Sequence, residues 1–188
     1  MQRIAIFASG TGSNAVRIIE HFNNHPNIKV CVVVSNKSNA PVLAKAQQAG
    51  VETFAFNRDE FYQSDLVLNE LKKREIDLIV LAGFMWLVPE NLIKTYTDRI
   101  INIHPALLPN YGGKGMYGMH VHRAVKAAGE TETGITIHLV NEEYDRGEIL
   151  FQAKCSISEE DTPEDIAQKI HQLEHANFSE QIERYLQT

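Results

Sequence analysis

Two cysteines in 188 residues, Cys31 and Cys155, are too few for a disulfide-built scaffold. Neither has a partner at metal-ligand spacing and both lie in apolar runs, so they read as buried, reduced thiols. No run approaches the ~18 apolar residues that a membrane-spanning helix requires. The chain opens directly on a strand-like run, without the basic segment and apolar core of a secretory signal. The expected location is therefore the cytoplasm, with no membrane partner. Basic residues are also scarce: 18 Lys and Arg stand against 24 Asp and Glu, a net charge of −6. That argues against a nucleic-acid partner, which usually meets a basic face. One small phosphate is not excluded, because a local site can be positive on an acidic protein.

What is present is an ordinary globular composition, 44% apolar and 22% charged. No linker, internal repeat or low-complexity segment divides the chain, so residues 1–188 read as a single domain. Strand-like runs at Arg3 to Ala8, Lys29 to Ser35, Val51 to Phe56, Asp77 to Ala82 and Arg99 to Ile103 alternate with amphipathic helices. One helix starts at Pro41 and closes at Gly50, and a longer one is expected over Asp59 to Arg74, with Phe61, Leu66, Leu68 and Leu71 toward a core. Runs such as DLIVLA and RIINI are apolar throughout, as parallel strands covered on two faces must be. The rhythm predicts an α/β fold with a doubly wound, mostly parallel sheet, whose ligands bind beyond the carboxyl ends of the strands.

After His104 the texture changes. Pro105 to Met119 holds two prolines and four glycines without periodicity, which reads as a long irregular binding loop or lid. Met119 to Ala128 is expected as a helix. Glu132 to Val140 and Glu148 to Ile157 are expected as antiparallel strands joined by Asn141 to Gly147. A last helix starts with Asp161-Thr162-Pro163-Glu164 and runs to about Tyr185.

Three features could carry chemistry. Gly10-Thr11-Gly12-Ser13-Asn14 follows the first strand and opens the first helix, where glycines and free N–H groups suit an anion. It completes neither G-x-G-x-x-G nor a P-loop, so it is either a phosphate cradle or a plain strand-to-helix turn. Asn102 and His104 end a buried strand on one side, with Ile103 pointing away, where open α/β sheets place their chemistry. The bland alternative is a buried histidine satisfied by a backbone carbonyl and an asparagine capping a turn. The motif His171-Gln172-Leu173-Glu174-His175 and the pair His120 and His122 invite a zinc reading. A catalytic zinc needs a third protein ligand, which the spacing does not supply, so no metal is expected.

With these motifs in order, the chain resembles the folate-dependent formyltransferases, and among them the glycinamide ribonucleotide transformylases. The resemblance runs from RIAIFASGTGSN through Leu81-Ala82-Gly83-Phe84-Met85, Asn102-Ile103-His104-Pro105-Ala106-Leu107-Leu108-Pro109, His138 and Asp145-x-Gly147 to Gln172-Leu173-Glu174-His175. It implies a Rossmann-like formyltransferase fold with an antiparallel C-terminal part. It implies transfer of a formyl group from 10-formyltetrahydrofolate to the amine of 5'-phosphoribosylglycinamide in purine synthesis. Both partners are small molecules, and the protein would be a monomer or homodimer.

By the same resemblance Gly10, Thr11, Gly12, Ser13 and Asn14 would hold the ribonucleotide, its phosphate at Gly12 to Asn14, with Glu174 as a further contact. Met85, Trp86, Leu87 and Val88, with Asn102 and the turn Asn141, Glu142, Glu143, Tyr144 and Asp145, would line the folate pocket. His138 would support the centre. Arg58 would either meet the folate's anionic tail or be a solvated surface arginine. Asn102, His104 and Asp145 would be catalytic: Asn102 donating to the oxyanion, His104 protonated, and Asp145 raising the His104 pKa and helping to move the proton. In Gly112 to Gly118 the loop is longer and richer in glycine than the commonest family form, and Trp86 stands where some relatives carry a charged or other residue. Rival readings are another formyl-folate enzyme, a hydrolase or sugar-amine transferase, and a non-catalytic nucleotide-binding module.

Overall fold

The computed structural model describes residues 1–187. One seven-stranded sheet runs in the order β3-β2-β1-β4-β5-β6-β7. The strands are β1 (Gln2–Phe7), β2 (Ile28–Ser35), β3 (Glu52–Ala55), β4 (Leu78–Leu81), β5 (Ile100–His104), β6 (Glu132–Leu139) and β7 (Ile149–Ser156). The first five are parallel, and β6 and β7 run antiparallel to their neighbours. The expected strands thus all form, within a residue or two at their ends, and the parallel sheet with an antiparallel C-terminal part is the observed architecture.

Two apolar clusters cover the two faces. On one, Ile4, Ile6, Val33, Val80 and Ile101 pack against α1 (Ser13–His21), α2 (Pro41–Gln48), α6 (Met119–Ala127) and α7 (Pro163–Gln187). On the other, Phe7, Val34, Ile79 and Leu81 meet α3 (Arg58–Tyr62), α4 (Leu66–Lys73) and α5 (Glu90–Thr95). Successive residues of β1 go to opposite clusters, as strand alternation requires, and each fully buried aliphatic side chain contributes about 1.5–3 kcal/mol.

The single helix expected over Asp59 to Arg74 is two helices. Asn57 caps α3, accepting from the Glu60 N–H at 3.0 Å while the Glu60 carboxylate accepts from the Asn57 N–H at 2.7 Å. The Ser64 hydroxyl then donates to the Glu60 carbonyl at 2.8 Å, competing with the helical ladder where the chain breaks. The break leaves Leu66 exposed rather than in the core, and Val67, Leu68 and Leu71 take the inward positions. Helix α5, which the sequence reading lacked, begins after Pro89. Helix α7 starts as expected: the Thr162 hydroxyl accepts from the Asp165 N–H at 3.1 Å, and the Asp165 carboxylate from the Thr162 N–H at 2.8 Å.

The strand order reverses between β1 and β4. Both carboxyl ends open there into loops tied together by Ser9, whose N–H donates to the Gly83 carbonyl at 3.1 Å and whose hydroxyl accepts from the Met85 N–H at 3.0 Å. The long segment 105–118 leaves β5 beside this point without regular structure.

Candidate active site

Beyond those strand ends lies a cleft of about 680 Å³. The loop Gly10 to Asn14 and Glu174 wall part of it; Met85, Trp86, Leu87 and Val88 wall another; Asn102, His104, His138, Glu143, Tyr144 and Asp145 also line it. Of the site residues expected from sequence, Arg58, Asn141 and Glu142 do not line it. Arg58 is exposed, its guanidinium 5.1 Å from the centre of the Tyr62 ring and 5.7 Å from that of Trp86. Asn141 instead shapes its turn, its side chain accepting from the Glu143 N–H at 3.0 Å.

At the loop's end Gly12 has φ 72°, a left-handed conformation that glycine adopts without strain, and α1 begins at the next residue. Asn14, buried in the first turn of α1, donates to Oε2 of Glu174 at 3.0 Å, and His171 lies 2.9 Å from the same oxygen. That bond raises the His171 pKa. Glu174 is buried in α7, and its pairing with Asn14 joins the glycine loop to the last helix. The H-x-x-E-H motif is thus part of the cleft wall. Among the described residues no group of three or more His, Cys, Asp or Glu side chains is arranged to hold a metal ion.

Asn102 and His104 do fall on one side of β5. Asn102 pairs with His138 across β5 and β6, its amide nitrogen 3.1 Å from His138 Nε2. His138 Nδ1 lies 2.7 Å from the Leu139 carbonyl, which can only accept, so Nδ1 carries the proton. In the neutral ring Nε2 is then an acceptor for the Asn102 amide. One amide hydrogen of Asn102 and its carbonyl oxygen stay uncommitted.

His104 is buried, with Nε2 2.8 Å from the Tyr111 carbonyl, which fixes the proton on that nitrogen. Its other nitrogen, Nδ1, lies 3.6 Å from Oδ2 of Asp145. The expectation of a carbonyl-satisfied histidine and that of a catalytic histidine therefore describe opposite edges of one ring. Asp145 sits in the β6–β7 turn at φ 55°, a left-handed position that Asp tolerates, and so turns its carboxylate inward. It accepts from the Gly113 N–H at 2.9 Å, and Oδ1 lies 3.6 Å from His138 Nε2. The link from Asp145 to His104, invisible in sequence spacing, is present in space.

The electrostatics correct one expectation. Asp145 does raise the His104 pKa, as expected, and so does the Tyr111 carbonyl, but burial outweighs both and leaves the net value below the ordinary one, against the expectation of a protonated ring. Asp145 goes the other way. Burial alone would raise its carboxyl, but the attraction of the His138 and His104 rings in their protonated forms, with the Gly113 N–H, holds it below the usual carboxylate range. A neutral imidazole therefore faces an ionised carboxylate.

Sequence reasoning missed Tyr111, Gly113 and Lys114, and met His122 only as half of a zinc pair. The first two act through backbone groups, which leave no residue signature. Lys114 lines the cleft from a loop without periodicity. His122 is buried on α6 and lines it too, with no hydrogen-bond partner for Nδ1. Its place at the inward side of α6, beside buried Val121 and Val125, was the available clue.

Comparison with known proteins adds the following. The formyl transferase family model matches residues 2–182. A phosphoribosylglycinamide formyltransferase of Bacillus subtilis is 36% identical over 99% of this chain and 95% of its own length. A chloroplastic phosphoribosylglycinamide formyltransferase of Arabidopsis thaliana is 39% identical over 96% of this chain, which spans only 64% of that relative's length. Among solved structures, a phosphoribosylglycinamide formyltransferase from Bacillus halodurans superposes with a TM-score of 0.88 at 36% identity, covering 98% of this chain and 95% of that one.

Proposed function

The chain belongs to the formyl transferase family, and from that premise we propose that it moves a formyl group from 10-formyltetrahydrofolate to the amine of 5'-phosphoribosylglycinamide, a step of purine synthesis. The observation that carries this reading is the convergence of Asn102, His104 and Asp145 in the same cleft as the glycine loop and Glu174. A site for plain nucleotide binding would not require the first three.

In this reading residues 1–188 work as one formyltransferase domain. The ribonucleotide's phosphate meets the N–H groups of Gly12, Ser13 and Asn14, where the start of α1 adds partial positive charge. Thr11 and Gly10 complete that loop, and Glu174 takes a polar group of the same substrate. The flat folate ring lies in the slot between apolar Met85 to Val88 and the polar turn Glu143 to Asp145, as suits a heterocycle with few polar anchors. Asn141 shapes that turn through the Glu143 N–H, Glu142 belongs to it without lining the cleft, and Arg58 stands beyond the slot beside Trp86.

The substrate amine attacks the formyl carbon, and the carbonyl π pair moves onto oxygen. The uncommitted amide hydrogen of Asn102 donates to that oxyanion. His104 enters as a neutral base: Nε2–H is fixed by Tyr111, so Nδ1 takes the proton from the attacking nitrogen. Asp145 stabilises the imidazolium so formed, and His138 holds the Asn102 amide. Return of the proton to N10 of the folate expels it as tetrahydrofolate, leaving the formylated ribonucleotide. The step needs no metal.

Cytoplasmic placement, and a monomer or homodimer with small-molecule partners, belong to the same proposal. No described helix is long and apolar enough to cross a membrane. The test mixes purified protein with 10-formyltetrahydrofolate, with and without glycinamide ribonucleotide, and follows deformylated folate. Ribonucleotide-dependent deformylation is expected. Deformylation without the ribonucleotide would mean a hydrolase, and none with it would refute the reading.

A further inference from the structure

We propose that Lys114 is the cation that recognises the phosphate dianion of the acceptor substrate. The inference rests on the reading above, in which that substrate carries a phosphate. The cleft is lined by three carboxylates, those of Glu143, Asp145 and Glu174, and by a single Lys or Arg side chain, Lys114. An anion entering such a cleft meets repulsion that the start of one helix, with its partial charge of about half a unit, offsets only in part. A full positive charge would offset the rest, and among the described residues Lys114 is the one Lys or Arg side chain on the cleft wall, while His171, also on it, is already paired with Glu174.

Its ammonium is also free to do so. No hydrogen bond or ion pair among the described residues engages it, whereas Lys45, the other lysine near the glycine loop, spends its charge on the Thr11 carbonyl at 2.8 Å. The backbone around Lys114 turns at Gly113 (φ 96°) and Gly115 (φ 88°), so the side chain rides on a segment that only glycines make. Its side of the cleft fits the phosphate rather than the folate. Met116, two residues on, packs with the cluster that contains Ala15, Ile18 and Ile170 of α1 and α7, and the segment leads into α6 on that same face. Phe84, Trp86 and Val88 of the folate slot belong to the cluster on the opposite face of the sheet. Gly113 itself is anchored to Asp145, which holds the base of the segment beside the reacting groups, and the next residue, Lys114, lines the cleft.

The experiment compares wild type, Lys114→Met and Lys114→Arg in full kinetic matrices of glycinamide ribonucleotide against 10-formyltetrahydrofolate. In parallel, calorimetry measures ribose 5-phosphate binding without folate. Loss of one charge-assisted phosphate contact should raise the ribonucleotide KM of Lys114→Met by about 10- to 100-fold, and weaken ribose 5-phosphate to a similar degree. The folate KM should stay within about twofold, and arginine should restore most of the loss. An unchanged ribonucleotide KM, a rise confined to the folate KM, or no rescue by arginine overturns the proposal. If wild type transfers no formyl group the functional reading falls, and the ribose 5-phosphate measurement still decides the role of Lys114.

Discussion

His104 and Asp145 face each other at 3.6 Å, Nδ1 to Oδ2, with the opposite edge of the imidazole fixed to the Tyr111 carbonyl at 2.8 Å. A proton arriving at His104 has one place to go, and the charge it creates has one counter-ion. Since burial keeps the ring neutral, activity should rise with pH through the His104 pKa. Asp145→Asn removes the charge that partly offsets burial, so the ascending limb of kcat/KM should move to lower pH as the rate drops by roughly 10²- to 10⁴-fold. A limb that descends with pH would instead identify the imidazolium as the active form.

Asn102→Ala should lower kcat by about 10²- to 10³-fold with little change in either KM, because its donor matters most when charge develops on the oxygen. His138 acts through the Asn102 amide, 3.1 Å away. His138→Phe should therefore slow turnover in wild type and add nothing in the Asn102→Ala background. Additive losses in that double-mutant cycle would show a separate role for His138.

Gly12 has no room for a side chain. A Cβ there would lie 2.2 Å from Cγ2 of Val42 and 2.5 Å from its Cβ, at a φ of 72° that strains any L residue. Valine in a helix has essentially one rotamer, so the loop rather than Val42 must give way. Gly12→Ala should cost about 1–3 kcal/mol in urea unfolding and raise the ribonucleotide KM while sparing that of the folate. Equal effects on both KM values would mean the loop is not a phosphate cradle.

His122 should make the protein acid-sensitive. Burial holds its imidazole pKa below the ordinary 6.5, so as pH falls the unfolded chain takes up its proton before the folded one does. Stability is undiminished above the unfolded value and declines on the acid side until the folded group titrates. Between about pH 7.5 and about pH 5.5, His122→Phe should lose less stability than wild type. Parallel losses in thermal unfolding would exclude His122 as a contributor.

How much of this was legible beforehand depended on whether the signal was local. The parallel strands were plain because runs such as Leu78–Leu81 are apolar on both faces, and Asn102 and His104 stood out as polar groups at the end of such a run. The helix break near Ser64 was hidden because Phe61, Leu68 and Leu71 keep an inward pattern across it. The capping pair Asn57 and Glu60 was the readable clue to the true start. Asp145 needed the resemblance, since its approach to His104 is set by a hairpin that folds β7 back on β6. The carbonyl of Tyr111 and the N–H of Gly113 had no signature at all, because every residue carries those groups and only the path of the chain selects two of them. Burial of His104 reversed the sign expected from its charged neighbour, and burial is a property of the whole packed molecule.

The bond between Asn14 and Glu174 spans 160 positions of sequence. The glycine loop and α7 therefore make one wall of the cleft only together, with α7 packed over α1 and the sheet. Removing α7 would leave Asn102, His104 and Asp145 in the chain but open the cleft on the side of the glycine loop. Cleavage anywhere between the two partners would be tolerated only as long as both fragments stay docked, so this single bond is a built-in check that the two halves of the fold have met.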